Sequence, residues 1–336
     1  MGVDLGELFK RERIEIEDLS GKWVAADAFN MLYQFLAIIR QKDGTPLMDS
    51  QGRVTSHLSG LLYRTANLME AGVKVAFVFD GKPSQLKMGT LEQRGEVRER
   101  AAAAWEEARA TGQDGFKYAQ AASCISSEIL DDGRRLISAM GLPVIQAPSE
   151  GEAQAAHMAA RGDVGYAGSQ DYDVLLFGAP LVVRNLAITG KRKLPRKNIY
   201  VDIQPEIIDL NRSLMENGIS RKQLVEIGIM CGTDYNCGLS RVGPKTALRL
   251  IREKGDLEAV LADRDDRIEN FQEIRELFLH PDVTDDYEIK MKKPRVDEIV
   301  SFLVEERDFD RERVEKTATK LEEAYKRGQS TLDRWL

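Results

Sequence analysis

The 336 residues are 43% hydrophobic and 31% charged, with a net charge of −7. That balance suits a globular chain with a large core, arranged as one large or two ordinary domains. It contains no apolar run near the roughly 20 residues of a membrane helix, and no internal repeat or low-complexity tract is evident. Cys124, Cys231 and Cys237 lack metal-type CxxC spacing and are odd in number, so neither a zinc site nor a disulfide framework is expected. The expected setting is cytoplasmic and reducing, with no membrane. The acidic sum argues against a nucleic-acid partner, unless an acidic metal cluster accounts for the charge.

Trp23 to Asp27 reads as a short buried strand ending in an aspartate, followed by an apolar-periodic helix from Phe29 to Ile39 that carries Tyr33. A loop around Asp43 to Pro46 leads to a helix near Thr55-Ser-His57, with Thr55 or Ser56 as its cap. Val73 to Asp80 is the clearest strand in the chain, and it too ends in an aspartate. After Gly81-Lys-Pro83 the chain is highly charged to Arg100. Lys87, Arg94 and Arg98 share one helical face and span roughly 16 Å, the reach of a few phosphates. Gly89 and Gly95 each weaken that helix by about 1 kcal/mol.

Ser126 to Met140 reads as an amphipathic helix. Leu142 to Gln146 then reads as a strand, Glu152 to Arg161 as an Ala-rich helix and Val164 to Gly168 as a strand, together one βαβ unit of a parallel sheet. The doublets Glu150/Glu152 and Asp171/Asp173 fall beyond the carboxyl ends of these strands, where open α/β sheets carry their chemistry. Carboxylates without nearby His or Cys suit a hard cation such as Mg²⁺ or Mn²⁺. For the glutamates a capping box, with Ser149 at the N-cap and Glu152 reaching back, stands about level as an explanation. Four successive strand ends closed by carboxylates make chance less economical.

Further on, Val182 to Leu186 and Ile199 to Asp202 read as strands flanking a basic loop, Gly190 to Lys197. Gln204 to Asn217 and Ser220 to Cys231 read as helices, and Asp234 follows as a seventh carboxylate. Gly238 to Thr246 imitates a Walker A loop. Pro244 removes an N–H from that cradle, and the loop follows a helix instead of a strand, so a P-loop is rejected. The stretch reads as a glycine hairpin between two helices, with Pro244 at the first helical position. It would offer backbone groups to a phosphate, with Lys245, Arg249 and Arg252 alongside. Beyond Asp256 the chain reads as helical, with a basic patch at Lys290, Lys292, Lys293 and Arg295 and a polar tail ending Trp335-Leu336.

Taken together these motifs resemble the flap endonucleases, structure-specific 5′ nucleases of DNA replication and repair, and most closely their archaeal form. The residues that carry the resemblance are Met1-Gly-Val-Asp-Leu, Asp27-Ala, Thr55-Ser-His-Leu, Val78-Phe-Asp80-Gly-Lys-Pro, Ala147-Pro-Ser-Glu-Gly-Glu-Ala-Gln-Ala, Gly168-Ser-Gln-Asp-Tyr-Asp, Gly232-Thr-Asp-Tyr-Asn and the Gln329 tail. It implies an α/β fold whose central, mostly parallel sheet is flanked by helices, with a helical arch and a helix-hairpin-helix-like element. Residues 1–98 would form the N-terminal part of the nuclease domain, 99–115 the arch or connector, and 116–258 the internal part with the glycine hairpin. Residues 259–327 would be a C-terminal helical region and 328–336 a sliding-clamp-binding tail.

The resemblance also implies two Mg²⁺ ions, with Mn²⁺ able to substitute. Asp27, Asp80, Glu150 and Glu152 would surround one, and Asp171, Asp173 and Asp234 the other. Lys87 and Arg94 would position the scissile phosphate. DNA contacts would come from Gly2, Tyr33, Thr55, Ser56, Arg98, Gly238, Gly243 and Lys245. Gln329, Leu332, Trp335 and Leu336 would dock on a sliding clamp. The implied activity is 5′-flap cleavage with 5′–3′ exonuclease action on branched DNA, in Okazaki fragment maturation and repair, by a nucleoid-associated monomer. Two positions depart from the family pattern: Arg241 stands where a glycine is usual, and Leu336 where a second aromatic is usual.

Overall fold

The computed structural model describes residues 2–41, 43–87, 99–105, 107, 111, 125–186, 190–193 and 200–332. Its frame is a seven-stranded sheet in the order β1-β9-β6-β5-β2-β3-β4. The strands are β1 (Glu12–Arg13), β2 (Trp23–Asp27), β3 (Lys74–Phe79), β4 (Val144–Gln146), β5 (Tyr166–Gly168), β6 (Leu181–Arg184) and β9 (Glu206–Asp209), while β7 (Gly190–Lys193) and β8 (Tyr200–Ile203) pair separately as a hairpin. From β6 to β4 the sheet is parallel; β9 runs antiparallel to β6, and β1 at the edge is antiparallel to β9.

Side chains alternate across β2 and β3, and each face buries its own core. Ala25, Ala76 and Val78 face one side, and Val24, Ala26, Val75, Phe77 and Phe79 the other. The first face is covered by α4 (Gly151–Arg161), α5 (Asp173–Leu176), α7 (Arg221–Cys231) and α8 (Pro244–Lys254). The second is covered by α1 (Ala28–Ile38), α2 (Ser56–Glu70), α3 (Ser127–Ala139) and the long C-terminal α12 (Arg311–Leu332). Strands buried on both faces read as continuous apolar runs, which is why β2 and β3 were so plain in the sequence. Gly60 allows α1 to close on α2: a Cβ there would lie 2.2 Å from the Phe35 ring.

The chain moves from β2 outward through β3 to β4, then returns to place β5 on the other side of β2. The β4–α4–β5 segment is therefore parallel, as expected, but its strands are not neighbours. Helix α4 crosses over β3 and β2 on the way. The connections leaving β2 and β5 go to opposite faces, so the gap between their carboxyl ends is the topological switch point where open α/β sheets bind ligands.

Three other expectations are corrected. Gln204 to Asn217 is not one helix: β-branched Ile207 and Ile208 extend β9 against β6, and only then does α6 (Leu210–Asn217) begin, capped by Asp209. The basic segment Gly190 to Lys197, expected as the tip of a hairpin, is not all loop: Gly190–Lys193 is itself a strand, β7, paired with β8. The chain past Asp256 is helical at α9 (Leu257–Arg264) and α10 (Phe271–Leu279), but residues 280–295 are irregular and tied to α4 by Gln154, whose amide bonds both Thr284 backbone groups. The basic patch lies at the end of that strap, where Lys292, Lys293 and Arg295 are paired with Glu288, Glu322 and Glu298.

Candidate active site

At the switch point the structure gathers carboxylates from four strand ends and one helix end. Asp27 is the last residue of β2 and caps α1, its Oδ1 accepting from Asn30 N at 3.1 Å. The same Asn30 donates through Nδ2 to Asp171 at 3.1 Å, so one asparagine links the two strands' acids. Asp80 follows β3, keeps solvent contact and accepts from Gly151 N, the first amide of α4, at 2.6 Å. Gly81 has to be glycine here, because a Cβ would lie 2.3 Å from the carbonyls of Ala147 and Pro148. That close seam sets the acid of β3 against the Glu150 loop.

Glu150 is the N-cap of α4 and makes no side-chain cap bond. The capping-box alternative, with Ser149 at the N-cap, therefore does not occur. Its Oε2 instead accepts from Lys87 Nζ at 2.6 Å, and its Oε1 is buried without a partner. Lys87 also lies 3.6 Å from Asp234, which follows α7. Glu152 accepts from Ser169 Oγ, and that hydroxyl in turn takes the Asp171 N–H at 3.0 Å. Asp173, buried at the start of α5, accepts the Val3 N–H at 2.8 Å. Gly2 at φ +56° lies so close that a Cβ would sit 3.0 Å from Asp171 Cβ.

The loop bearing Asp171 and Asp173 is locked from outside. Arg184 of β6 donates to Tyr172 Oη and to the Gln170 carbonyl, and lies over the Tyr172 ring, while Phe9 stacks on that ring at 5.5 Å. Asn30, Ser169 and Arg184 join the site beyond the residues expected from the sequence. Ser169 sits inside the Gly168-to-Asp173 motif and Asn30 three residues past Asp27, so both had a positional signal. Arg184 had none.

The crowding is visible in the proton affinities. Burial, then the Asp80 charge, raises the Asp27 pKa well above the usual carboxylate range. Burial, then Asp171, Asp27 and Asp173, does the same to Glu152. Asp173 is pushed up to about 7 by burial and then by Asp234. Asp80 rises too, by loss of hydration and by Glu150; because it still meets water, its shift is the weaker argument. Burial opposes the charge on Lys87, but Glu150, Asp234 and Asp80 outweigh it and hold the ammonium above its ordinary pKa.

An all-oxygen set that cannot comfortably carry its own charge, with a buried carboxylate oxygen unpartnered, fits a hard divalent cation. Among the described residues no three acidic, His or Cys side chains already enclose an ion-sized point. Mutual repulsion and the intervening Lys87 account for that spread, so the fit rests on donor chemistry.

The other expected positions fall around this centre. Tyr33 is half-buried on α1. Thr55 and Ser56 are buried, and the Ser56 hydroxyl donates to Ile39 O at 2.6 Å and accepts from Leu47 N at 2.9 Å. As placed, Ser56 shapes the 39–56 loop from inside and the only donor of its hydroxyl is already used. In the hairpin between α7 and α8, a Cβ on Gly238 would strike the Gly232 amide at 2.5 Å, and Pro244 opens α8 behind the Gly243 N-cap. Arg241 takes φ +62°, a left-handed conformation more natural to glycine, so the hairpin carries local strain here. Lys245 is exposed and pairs with Glu7 at 3.1 Å. Arg94, Arg98, Trp335 and Leu336 lie outside the described residues; for Gln329 and Leu332 only the backbone, helical within α12, is described.

Residues 3–101 match the XPG N-terminal domain and residues 141–234 the XPG I-region. Flap endonuclease 1 of Methanothrix thermoacetophila is 65% identical over the whole of both chains. The chain belongs to the flap endonuclease family. Flap endonuclease-1 from Methanococcus jannaschii superposes with a TM-score of 0.77 at 39% identity, over 96% of this chain and 98% of that one. A more distant neighbour of the same fold, the Holliday junction-resolving enzyme GEN1, was solved with product DNA and Mg²⁺; it is 18% identical with a TM-score of 0.63, over 95% of this chain and 76% of that one. This flap endonuclease is thus a structure-specific nuclease, a hydrolase of phosphodiester bonds, in a family that depends on divalent metal and serves replication and repair. No helix among the described residues is long and apolar enough to cross a membrane.

Proposed function

We propose that this chain cuts branched DNA at the junction of a 5′ flap, with 5′–3′ exonuclease action on the same site, leaving a ligatable nick. The supporting observation is the convergence of Asp27, Asp80, Glu150, Glu152, Asp171, Asp173 and Asp234 on the switch point, held by Asn30, Ser169, Gly151 and Val3. Asp27, Asp80, Glu150 and Glu152 would hold one Mg²⁺, and Asp171, Asp173 and Asp234 a second, with Mn²⁺ as a substitute. Such ions activate a water and stabilise the leaving oxygen of an in-line displacement. The chain itself fixes the carboxylates and keeps them partly dry, and Lys87, with Arg94, would position the reacting phosphate. Gly2 lies against Asp171 and Asp173, so the N-terminal backbone approaches the same place.

Duplex would be read by backbone shape. The hairpin glycines Gly238 and Gly243 and the α8 N-terminus, with Lys245, suit phosphate contact. Tyr33, Thr55, Ser56 and Arg98 complete the expected DNA track, Thr55 and Ser56 by shaping a loop. We assign residues 1–98, 99–115 and 116–258 to the nuclease domain and its arch, 259–327 to the helical C-terminal region, and 328–336 to a sliding-clamp tail. The working unit would be a monomer in the nucleoid.

The test is single-turnover cleavage of a labelled flap, a blunt duplex and a small phosphate ester, with and without Mg²⁺. The flap should be cut fastest and the ester not at all. Asp173→Asn should lower flap cleavage by about 10³-fold or more, while binding in Ca²⁺ changes only a few-fold. Cleavage retained within tenfold would remove Asp173 from the site.

A further inference from the structure

Among the seven acids stands a base. Lys87 Nζ is 2.6 Å from Glu150 Oε2 and 3.6 Å from Asp234 Oδ2. The lysine side chain is 16% exposed and the two acids 12% and 13%, so the contact belongs to the interior of the site. Lys87 ends a single 3₁₀ turn, Gln85–Lys87, only a short connection beyond β3. A small shift of that turn would carry the ammonium out of the cluster.

A divalent ion needs carboxylate oxygens at about 2.0–2.6 Å. An ammonium hydrogen-bonded to Glu150 Oε2 occupies the space beside that oxygen, and two cations on one oxygen repel. We propose that Lys87 and a divalent cation compete for Glu150 Oε2 and Asp234 Oδ2, the oxygens that the ammonium faces, with Glu150 Oε1 left without a partner beside it. The lysine is an internal counter-ion of the carboxylates, and metal loading displaces its ammonium from those two oxygens. Metal affinity is lowered by the lysine, and the lysine is delivered to substrate only after the site is loaded. This inference rests on the reading of the seven acids as the metal site. It makes Lys87 a positioning device as well as a phosphate contact.

The test uses metal alone, without DNA. Mg²⁺ binding is measured by titration calorimetry for the full-length protein, Lys87→Met and Asp234→Asn. Lys87→Met should bind Mg²⁺ at least about tenfold more tightly, the lower end of what close charge pairs contribute. Its melting temperature should fall below that of the parent in chelator and recover in saturating Mg²⁺; a lysine that merely anchors its loop would cost stability under both conditions. Equal Mg²⁺ affinity in parent and Lys87→Met overturns the competition while leaving the metal reading intact. Mg²⁺ binding by neither overturns both. Should the variant fail to fold, the unmodified protein suffices: the rate at which an amine-reactive probe labels Lys87, followed by mass spectrometry, should rise several-fold on adding Mg²⁺, and an unchanged rate defeats the proposal.

Discussion

His57 lies within the Thr55-to-Leu58 motif, yet it touches no reacting group. It is fully buried on α2, and neither ring nitrogen has a hydrogen-bond partner. Asp132 Oδ2 is 4.0 Å from Nε2, a distance compatible with an ion pair if the ring were charged. Asp132, however, is already engaged by Arg307 through bonds of 2.8 to 3.1 Å. Burial, then the Arg307 charge, depresses the imidazole pKa from 6.5 to about 3. A base whose folded pKa lies below its unfolded value stabilises the fold only while it is neutral. That contribution is complete above about pH 6.5 and is lost progressively as the pH falls from there toward 3. At pH 5 the loss is about 2 kcal/mol, at 1.36 kcal/mol for each pH unit below the unfolded pKa. His57→Leu removes two unpartnered nitrogens as well, so it should be close to neutral at pH 7.5 and should flatten the decline in denaturant stability between pH 7.5 and 5. Parallel declines in parent and variant would show that other groups carry the acid sensitivity.

At the level of elements, Asp27 serves two structures at once. It ends β2 with a charge and starts α1 with a cap. These duties separate in two variants. Asp27→Asn keeps an oxygen for the Asn30 amide and removes a charge that burial and Asp80 already disfavour, so at pH 7 it should be at least as stable as the parent. Asp27→Ala loses the cap and should be less stable than Asp27→Asn by about 1 kcal/mol. Both should lose cleavage. Chemical denaturation in chelator compares them, and equal stability of the two variants would mean that the cap contributes nothing. The double duty also explains what could be read in advance. Strands β2 and β3 and helix α1 were legible because both faces of the sheet are buried and the following helix is periodic. Helix α3 matched its amphipathic pattern almost residue for residue, Ser127–Ala139. Strand β1 was not legible, since two exposed residues leave no periodicity to detect. Strand β9 reads as helix in the sequence because its four residues stand directly ahead of a true helix and blur into its window. The acids were legible as strand-end residues, whereas Asn30 and Arg184 depend on which strands become neighbours, and no local pattern contains the crossover that puts β5 beside β2.

The whole molecule closes on α12. Val314, Ala318, Leu321 and Ala324 are buried in the core that also holds α2, and Lys320 reaches Glu70 at 2.9 Å. Past Ala324 the helix loses its inward face: Lys326, Arg327 and Gly328 are exposed, although the backbone stays helical to Leu332. An apolar Trp335-Leu336 pair on an otherwise polar tail is unusual in sequence unless it docks somewhere. Gln329, Leu332 and Trp335 have the spacing of a peptide that docks as one helical turn, with Leu332 and Trp335 side by side. Leu336 offers less area than an aromatic, which at ~25 cal/mol per Å² would weaken such docking by about 1 kcal/mol. Deleting Gln329 to Leu336 should leave the melting temperature and the flap cleavage of the isolated enzyme unchanged, and should abolish stimulation by the cognate sliding clamp. Leu336→Phe should tighten clamp binding about fivefold, the same increment of burial expressed as an equilibrium constant. Calorimetry with the clamp and a thermal melt of the truncated chain decide the matter: a lowered melting temperature would assign the tail to the fold, and stimulation that survives the deletion would place the clamp contact elsewhere on the surface.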